Sequence, residues 1–199
     1  EFLTELASAA PAPGGGGGAA MAGALAAALA SMVANLTIGK EKFADREPEV
    51  KELLKQAEAE RVRLLTLVDE DAAVFNSFMS CYKLPKTTDE EKAARTAAIR
   101  AAAKQAATVP LNIARSFAVL KLADRLVVAG NPGVITDAAC SGLLARAALR
   151  CAEYNVRINL GLTKDEVWNA QAAADLKKLL ADAEALETRL LAVTDKALQ

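Results

Sequence analysis

The 199-residue chain contains no histidine. That absence removes the commonest general base and the commonest metal ligand together. Its three cysteines, Cys81, Cys140 and Cys151, are odd in number and form no C-x-x-C pair. Cys140 and Cys151 fall on one expected helix, about 16 Å apart along its axis, so they cannot bridge. Reduced thiols in a cytoplasmic protein are the expectation. Aromatic residues are scarce, at 4% of a chain that is 53% hydrophobic. Alanine must then fill much of the interior, which favours closely packed helices over a sheet sandwich. Excess charge is missing too: 24 basic against 25 acidic residues leave a net charge of −1. Neither nucleic acid nor an anionic membrane is expected as the main partner. The one long uncharged run, residues 14–38, has the length of a membrane span. It is built of Ala and Gly rather than Leu and Ile and carries Ser31, Asn35 and Thr37, so no membrane span is expected. The acidic start, Glu1 to Leu6, is not a signal peptide.

That run is what the rest of the chain is organised around. Residues 11–40 read PAPGGGGGAAMAGALAAALASMVANLTIGK, with consecutive glycines from Gly14 to Gly18. Without Cβ atoms a backbone can come very close to a ligand or to another backbone. The glycines also stand where a helix begins, so several N–H groups there lack an intrahelical partner and suit an anion or a polar heterocycle. Ala19, Gly23, Ala27 and Ala30 give the helix almost no bulk, so neighbours can pack close to it. It is the expected central helix, with a ligand-binding loop at its head. The run is neither G-x-G-x-x-G after a strand nor G-x-x-x-x-G-K-[ST], so it is no nucleotide fingerprint.

In chain order, residues 2–10 read as a short amphipathic helix with Phe2, Leu3 and Leu6 inward, stopped by Pro11 and Pro13. Gly39 ends the central helix, with Lys40 and Lys42 beside its C-terminus. Pro48 suits a first turn and opens a long helix to about residue 82. Its inner stripe reads Leu53, Ala57, Leu64, Val68, Asp71, Phe75, Phe78. Thr88 and Glu91 make a capping box for the next helix, which runs through Ala107 and is restarted or kinked at Pro110, with Leu111–Ala129 continuing. The stripe there, Ile113, Phe117, Leu120, Asp124 and Val127, again holds one carboxylate. Gly130-Asn131-Pro132-Gly133 is a turn. A helix over 134–160 puts Asp137 near its start and Asn155 and Asn159 one turn apart near its end. Thr163 and Glu166 form a second capping box for a last helix to about residue 198. No stretch reads as a strand. The expectation is a single all-α domain of about six or seven antiparallel helices over residues 1–199.

With no histidine and no cysteine pair, any chemistry must use carboxylates, lysine, tyrosine or backbone dipoles. Asp71, Asp124 and Asp137 are the carboxylates with apolar neighbours, whereas Asp69 and Glu70 point to solvent. Burial raises a carboxylate pKa and makes it a better base where it still ionises. Equally, each could be a structural aspartate paired with Arg95, Arg115, Arg125 or Lys86. Lys40, Lys42, Lys86 and Arg95 serve either as solvated surface or as ligand clamps. From residue types alone the substrate stays open.

Residues 11–43 resemble the opening of the formiminotransferase-cyclodeaminase C-terminal family, which includes stand-alone methenyltetrahydrofolate cyclohydrolases. The resemblance continues through VDEDAAVF (68–75), LPKTTDEEKAAR (84–95), VPL (109–111), GNPGVITDAA (130–139) and NVRINL (155–160), in order along nearly the whole chain. It implies an all-helical subunit that pairs into a homodimer, and a folate substrate bound near the glycine loop. It also implies one-carbon chemistry on tetrahydrofolate without metal or cofactor. The family's catalytic aspartate falls in DEDAAVF and matches Asp71, the residue the stripe singles out over Asp69. On this resemblance, hydrolysis of 5,10-methenyltetrahydrofolate to 10-formyltetrahydrofolate is the leading expectation, with Asp71 as general base. Gly14, Gly15, Gly16 and Gly17 would bind polar edges of the folate, Asn131 and Asp137 the pterin or a water, and Lys86 and Arg95 the glutamate tail. Formiminotetrahydrofolate cyclodeaminase activity and a catalytically silent folate binder are the alternatives. Two departures stand out: many cyclodeaminases read PGGGSVAA where this chain has PGGGGGAA, so Gly17 lacks a hydroxyl, and Gly133 stands where relatives often carry asparagine.

Overall fold

The computed structural model describes all 199 residues. It has seven α-helices and no strand: α1 (Phe2–Leu6), α2 (Gly15–Asn35), α3 (Glu47–Cys81), α4 (Asp89–Ala114), α5 (Phe117–Ala129), α6 (Ile135–Thr163) and α7 (Glu166–Ala197). Two 3₁₀ turns, Glu41–Phe43 and Pro132–Val134, join α2 to α3 and α5 to α6. The all-α, single-domain expectation holds.

Helix α2 lies in the middle, packed chiefly against α3 and α6. Its buried face is nearly all alanine and glycine, and Ala20, Ala26, Ala27, Ala30 and Ala34 are fully enclosed. Small side chains let neighbouring helices approach, as at Gly23, where a Cβ would stand 3.2 Å from Leu64 Cδ1. The Ser141 hydroxyl of α6 donates to Ala26 O at 2.7 Å, which ties the two backbones together. By length and composition α2 could cross a membrane, but 61% of that stretch is buried inside the bundle. Here it is a core helix.

The inner stripe of α3 is as expected: Leu53, Ala57, Leu64, Val68 and Phe78 are buried, while Asp69 and Glu70 are exposed. The Thr88–Glu91 capping box forms. Four expectations are corrected. Helix α1 ends at Leu6 and leaves Leu3 73% exposed. Phe2 and Leu6 are four apart and share the inward face, so Leu3, one residue on from Phe2, turns away.

The second correction concerns Pro110, which does not restart the helix; α4 runs through it to Ala114. A proline lacks the N–H that would meet the carbonyl four residues back. That carbonyl belongs to Ala106, and Asn159 Nδ2 of α6 donates to it at 2.9 Å. The break comes later, where Arg115 and Ser116 N–H groups turn to Asn112 O and Ile113 O. Third, α7 is capped by Asp165, which accepts from Trp168 N–H at 3.0 Å, not by Thr163. Thr163 is instead the last residue of α6, and Lys164 takes a left-handed conformation (φ 56°) between the helices. Fourth, buried Asp124 is paired, but with Arg189 of α7 at 2.8 Å rather than with Arg95, Arg115, Arg125 or Lys86. Its salt bridge fastens α5 to α7.

Candidate active site

Asp71 sits where α3 passes the head of α2, and the glycines allow the contact. The Gly17 N–H, an orphan donor of the first turn, donates to Asp71 Oδ2 at 2.9 Å. A Cβ on Gly16 would overlap the Asp71 carboxyl group, so any side chain there would have to displace the carboxylate from its present position. Gly17 is not restricted in this way: a Cβ there would meet Pro13, Phe2 and the Val68 carbonyl at ordinary distances of 3.5–3.7 Å. The missing hydroxyl at that position therefore reflects no lack of space. Burial pushes the Asp71 pKa above its usual value, and the Gly17 N–H opposes this only in part.

The carboxylate opens into a cavity of about 330 Å³. Phe75 and Phe78 of α3 line one side, and Ile158 and Leu162 of α6 contribute further apolar wall. Pro11, Ala12 and Gly14 to Gly16 form the rim beside Asp71, and Asn155 and Asn159 supply the remaining polar groups. No lysine or arginine lines the cavity, and Asp71 is its one charged residue.

The expected site residues are only partly brought together. Gly14, Gly15 and Gly16 line the cavity with Asp71, and Gly17 holds the carboxylate from behind. Arg95 and Lys86 do not line it. Arg95 stacks over the Tyr82 ring (5.5 Å) and donates from Nη2 to Tyr82 O at 3.3 Å, and Tyr82 meets Phe78 edge-on at 5.3 Å. Lys86 is exposed in the loop between α3 and α4.

Asn131 and Asp137, the other two expected contacts, do not line this cavity. The Asn131 N–H donates to Thr37 Oγ1 at 2.8 Å, and its Nδ2 donates to Leu36 O at 3.1 Å. It thus closes the C-terminal end of α2, about 30 Å from the glycines along a helix of that length. Asp137 follows it in the first turn of α6. The turn sequence GNPG places both by chain continuity, and only the antiparallel course of α6 along α2 shows that they stand at the opposite end from the glycines.

Asn155, Asn159, Phe75, Phe78, Ile158 and Leu162 were not singled out as site residues from sequence. The phenylalanines read as core, and the paired asparagines carried a spacing but no partner. Their signal was the four-residue step, which puts two carboxamides on one face of a helix.

Residues 1–178 match the family model described as Formiminotransferase-cyclodeaminase. A methenyltetrahydrofolate cyclohydrolase from Methylorubrum extorquens is 45% identical over 190 residues, covering 95% of this chain and 91% of that protein. A formimidoyltransferase-cyclodeaminase from Sus scrofa is 35% identical over 92% of this chain, which spans 34% of that longer protein. Among solved structures, a formiminotetrahydrofolate cyclodeaminase from Thermotoga maritima superposes with a TM-score of 0.89 at 29% identity, covering all of this chain and 96% of the other.

Proposed function

The chain belongs to the formiminotransferase-cyclodeaminase family, and on that premise we propose that it hydrolyses 5,10-methenyltetrahydrofolate to 10-formyltetrahydrofolate. The observation that carries this is the lone carboxylate. A cavity walled by phenylalanine and aliphatic side chains, with Asp71 as its one charged residue, suits a flat ligand bearing a positive charge. The methenyl bridge is such a group, an amidinium spread over N5, the bridging carbon and N10. That carbon is already electrophilic, so the reaction needs neither metal nor cofactor to activate it.

In the proposed mechanism Asp71 accepts a proton from a water as its oxygen attacks the bridging carbon. Collapse of the tetrahedral adduct breaks the bond to N5, N5 takes up a proton, and the formyl group stays on N10. The reaction consumes one water and releases one proton. The raised pKa of Asp71 brings it closer to working pH, where a general base is most effective. Its charge also favours the cationic substrate. The glutamate tail leaves the cavity past Phe78 and Tyr82 toward Arg95 and Lys86.

We further propose a homodimer in a reducing compartment such as the cytoplasm. On α2 and at its C-cap, Leu25, Met32 and Leu36 are exposed in a helical stripe with half-buried Met21 and Leu29. On neighbouring α6, Cys140, Leu143, Ala147 and Cys151 are exposed at steps of three and four. Uncharged stripes on two packed helices suit a second copy of the same surface.

The deciding experiment follows the methenyl absorbance band with and without protein near neutral pH. Accelerated loss of the band, falling by roughly 10²–10⁴ in Asp71→Asn, is the expected result. The likeness to the Thermotoga maritima enzyme favours one rival, closure of 5-formiminotetrahydrofolate with loss of ammonia. Appearance of the band from that substrate, without accelerated hydrolysis, would move the assignment there. Binding of folate with neither change would leave a catalytically silent binder.

A further inference from the structure

Outside Asp71 and the glycines, the polar lining of the cavity comes from Asn155 and Asn159, and both carboxamides are fixed in orientation. Asn159 Nδ2 donates to Ala106 O (2.9 Å) and to Asn155 O (2.8 Å), which uses both of its hydrogens. Asn155 Nδ2 donates to Cys151 O at 2.8 Å. Turned the other way, either group would set its oxygen against a carbonyl oxygen. Each therefore has a carboxamide oxygen that no protein donor meets, on a residue that lines the cavity.

Asn155 also lies close to the glycine turn, since a Cβ on Gly15 would stand 3.5 Å from its Nδ2. The N–H groups of Gly15 and Gly16 belong to the first turn of α2 and have no carbonyl to meet within the helix. Donors on the α2 side thus stand near acceptors on the α6 side, with Phe75 and Phe78 offering flat apolar surface. This lining matches a planar heterocycle whose edge carries a lactam oxygen beside N–H groups.

We propose that the Asn155 and Asn159 oxygens accept hydrogen bonds from the N–H edge of the folate's bicyclic ring and select for it. The proposal rests on the folate reading above and makes the two asparagines specificity residues, not participants in proton transfer. The ring edge is unchanged between ground state and transition state, so its loss acts on binding. Truncating the acceptor raises KM and leaves kcat nearly alone.

The test titrates tetrahydrofolate, which has the ring but no one-carbon group, into the full chain by calorimetry. Asn155→Ala breaks only a bond within its own helix, so the fold and melting temperature are expected to hold. About tenfold weaker binding is expected, with KM for the methenyl substrate raised similarly and kcat within about threefold. Asn159 also serves Ala106, so Asn159→Leu is made in a Pro110→Ala background, where residue 110 has an N–H for that carbonyl. A further loss of similar size is expected there relative to Pro110→Ala alone. Unchanged affinity in both variants would overturn the proposal, as would an effect confined to kcat. Failure of the parent protein to bind tetrahydrofolate while it turns over the methenyl substrate would also overturn the proposal, and failure of both would overturn the folate reading itself.

Discussion

Asp71 is held by a single backbone N–H in a largely apolar cavity, and burial is the larger influence on its acidity. Because its folded pKa is raised, the folded state keeps its proton to higher pH than the unfolded chain does. Stability contributed by this group is therefore greatest at low pH. It falls as pH rises from the ordinary carboxylate value through the raised one, and stays lower above it. Asp71→Asn, which carries no charge to bury, is expected to melt at a higher temperature than the parent at pH 7. That gain should shrink toward zero in melts below the ordinary carboxylate range. If Asp71 is the base, kcat of the parent rises with pH through the raised pKa. Gly16→Ala tests the same contact from the other side, since its methyl would overlap the carboxylate. A drop in kcat/KM of at least about tenfold is expected, with Gly17→Ala much milder because its Cβ has room. Parallel steady-state kinetics on the two alanine variants would decide this.

At the scale of helices, Pro110 and Asn159 form a coupled pair across α4 and α6. Proline leaves the Ala106 carbonyl without its helical donor, and Asn159 supplies one. Asn159→Leu in the parent orphans that carbonyl and should cost about 1–3 kcal/mol. With Pro110→Ala already in place the same change should cost less, because the backbone at position 110 then has an N–H to donate. A urea double-mutant cycle that came out additive would exclude the coupling. The same bond explains how one asparagine both repairs a helix and faces a cavity: its N–H groups serve the backbone and leave the oxygen over.

Across the whole molecule, helix α2 has three unlike environments. Its glycine end meets Asp71, its alanine face is sealed by α3 and α6, and its remaining stripe of Leu25, Met32 and Leu36 is exposed. A charge within that stripe, Leu25→Glu, is expected to convert a dimer to monomers with the helical content retained. Sedimentation velocity, compared with Val167→Glu at the exposed start of α7 as a control, reads this directly. A parent that sediments as a monomer at micromolar concentration would count against the pairing surface.

Much of this protein was decided by local sequence. A chain rich in alanine, without histidine and with apolar residues at helical spacing, dictates packed helices, because each helix can bury only the face its periodicity defines. The same logic separated Asp71 from Asp69 and Glu70, since a three- or four-residue step from Val68 and Phe75 puts one carboxylate inward and the others in water. The Thr88–Glu91 cap was legible for a similar reason, as both partners lie within one turn. Tertiary structure decided everything that depends on which ends of long helices meet. It sent Asn131 and Asp137 to the far end of α2, gave Asp124 to Arg189, and let α4 continue through Pro110 by borrowing an amide from α6. It also turned Asn155, Asn159, Phe75 and Phe78 into cavity walls. Spacing along a chain defines the face of a helix, but contacts between helices close over tens of residues, and no local pattern records them.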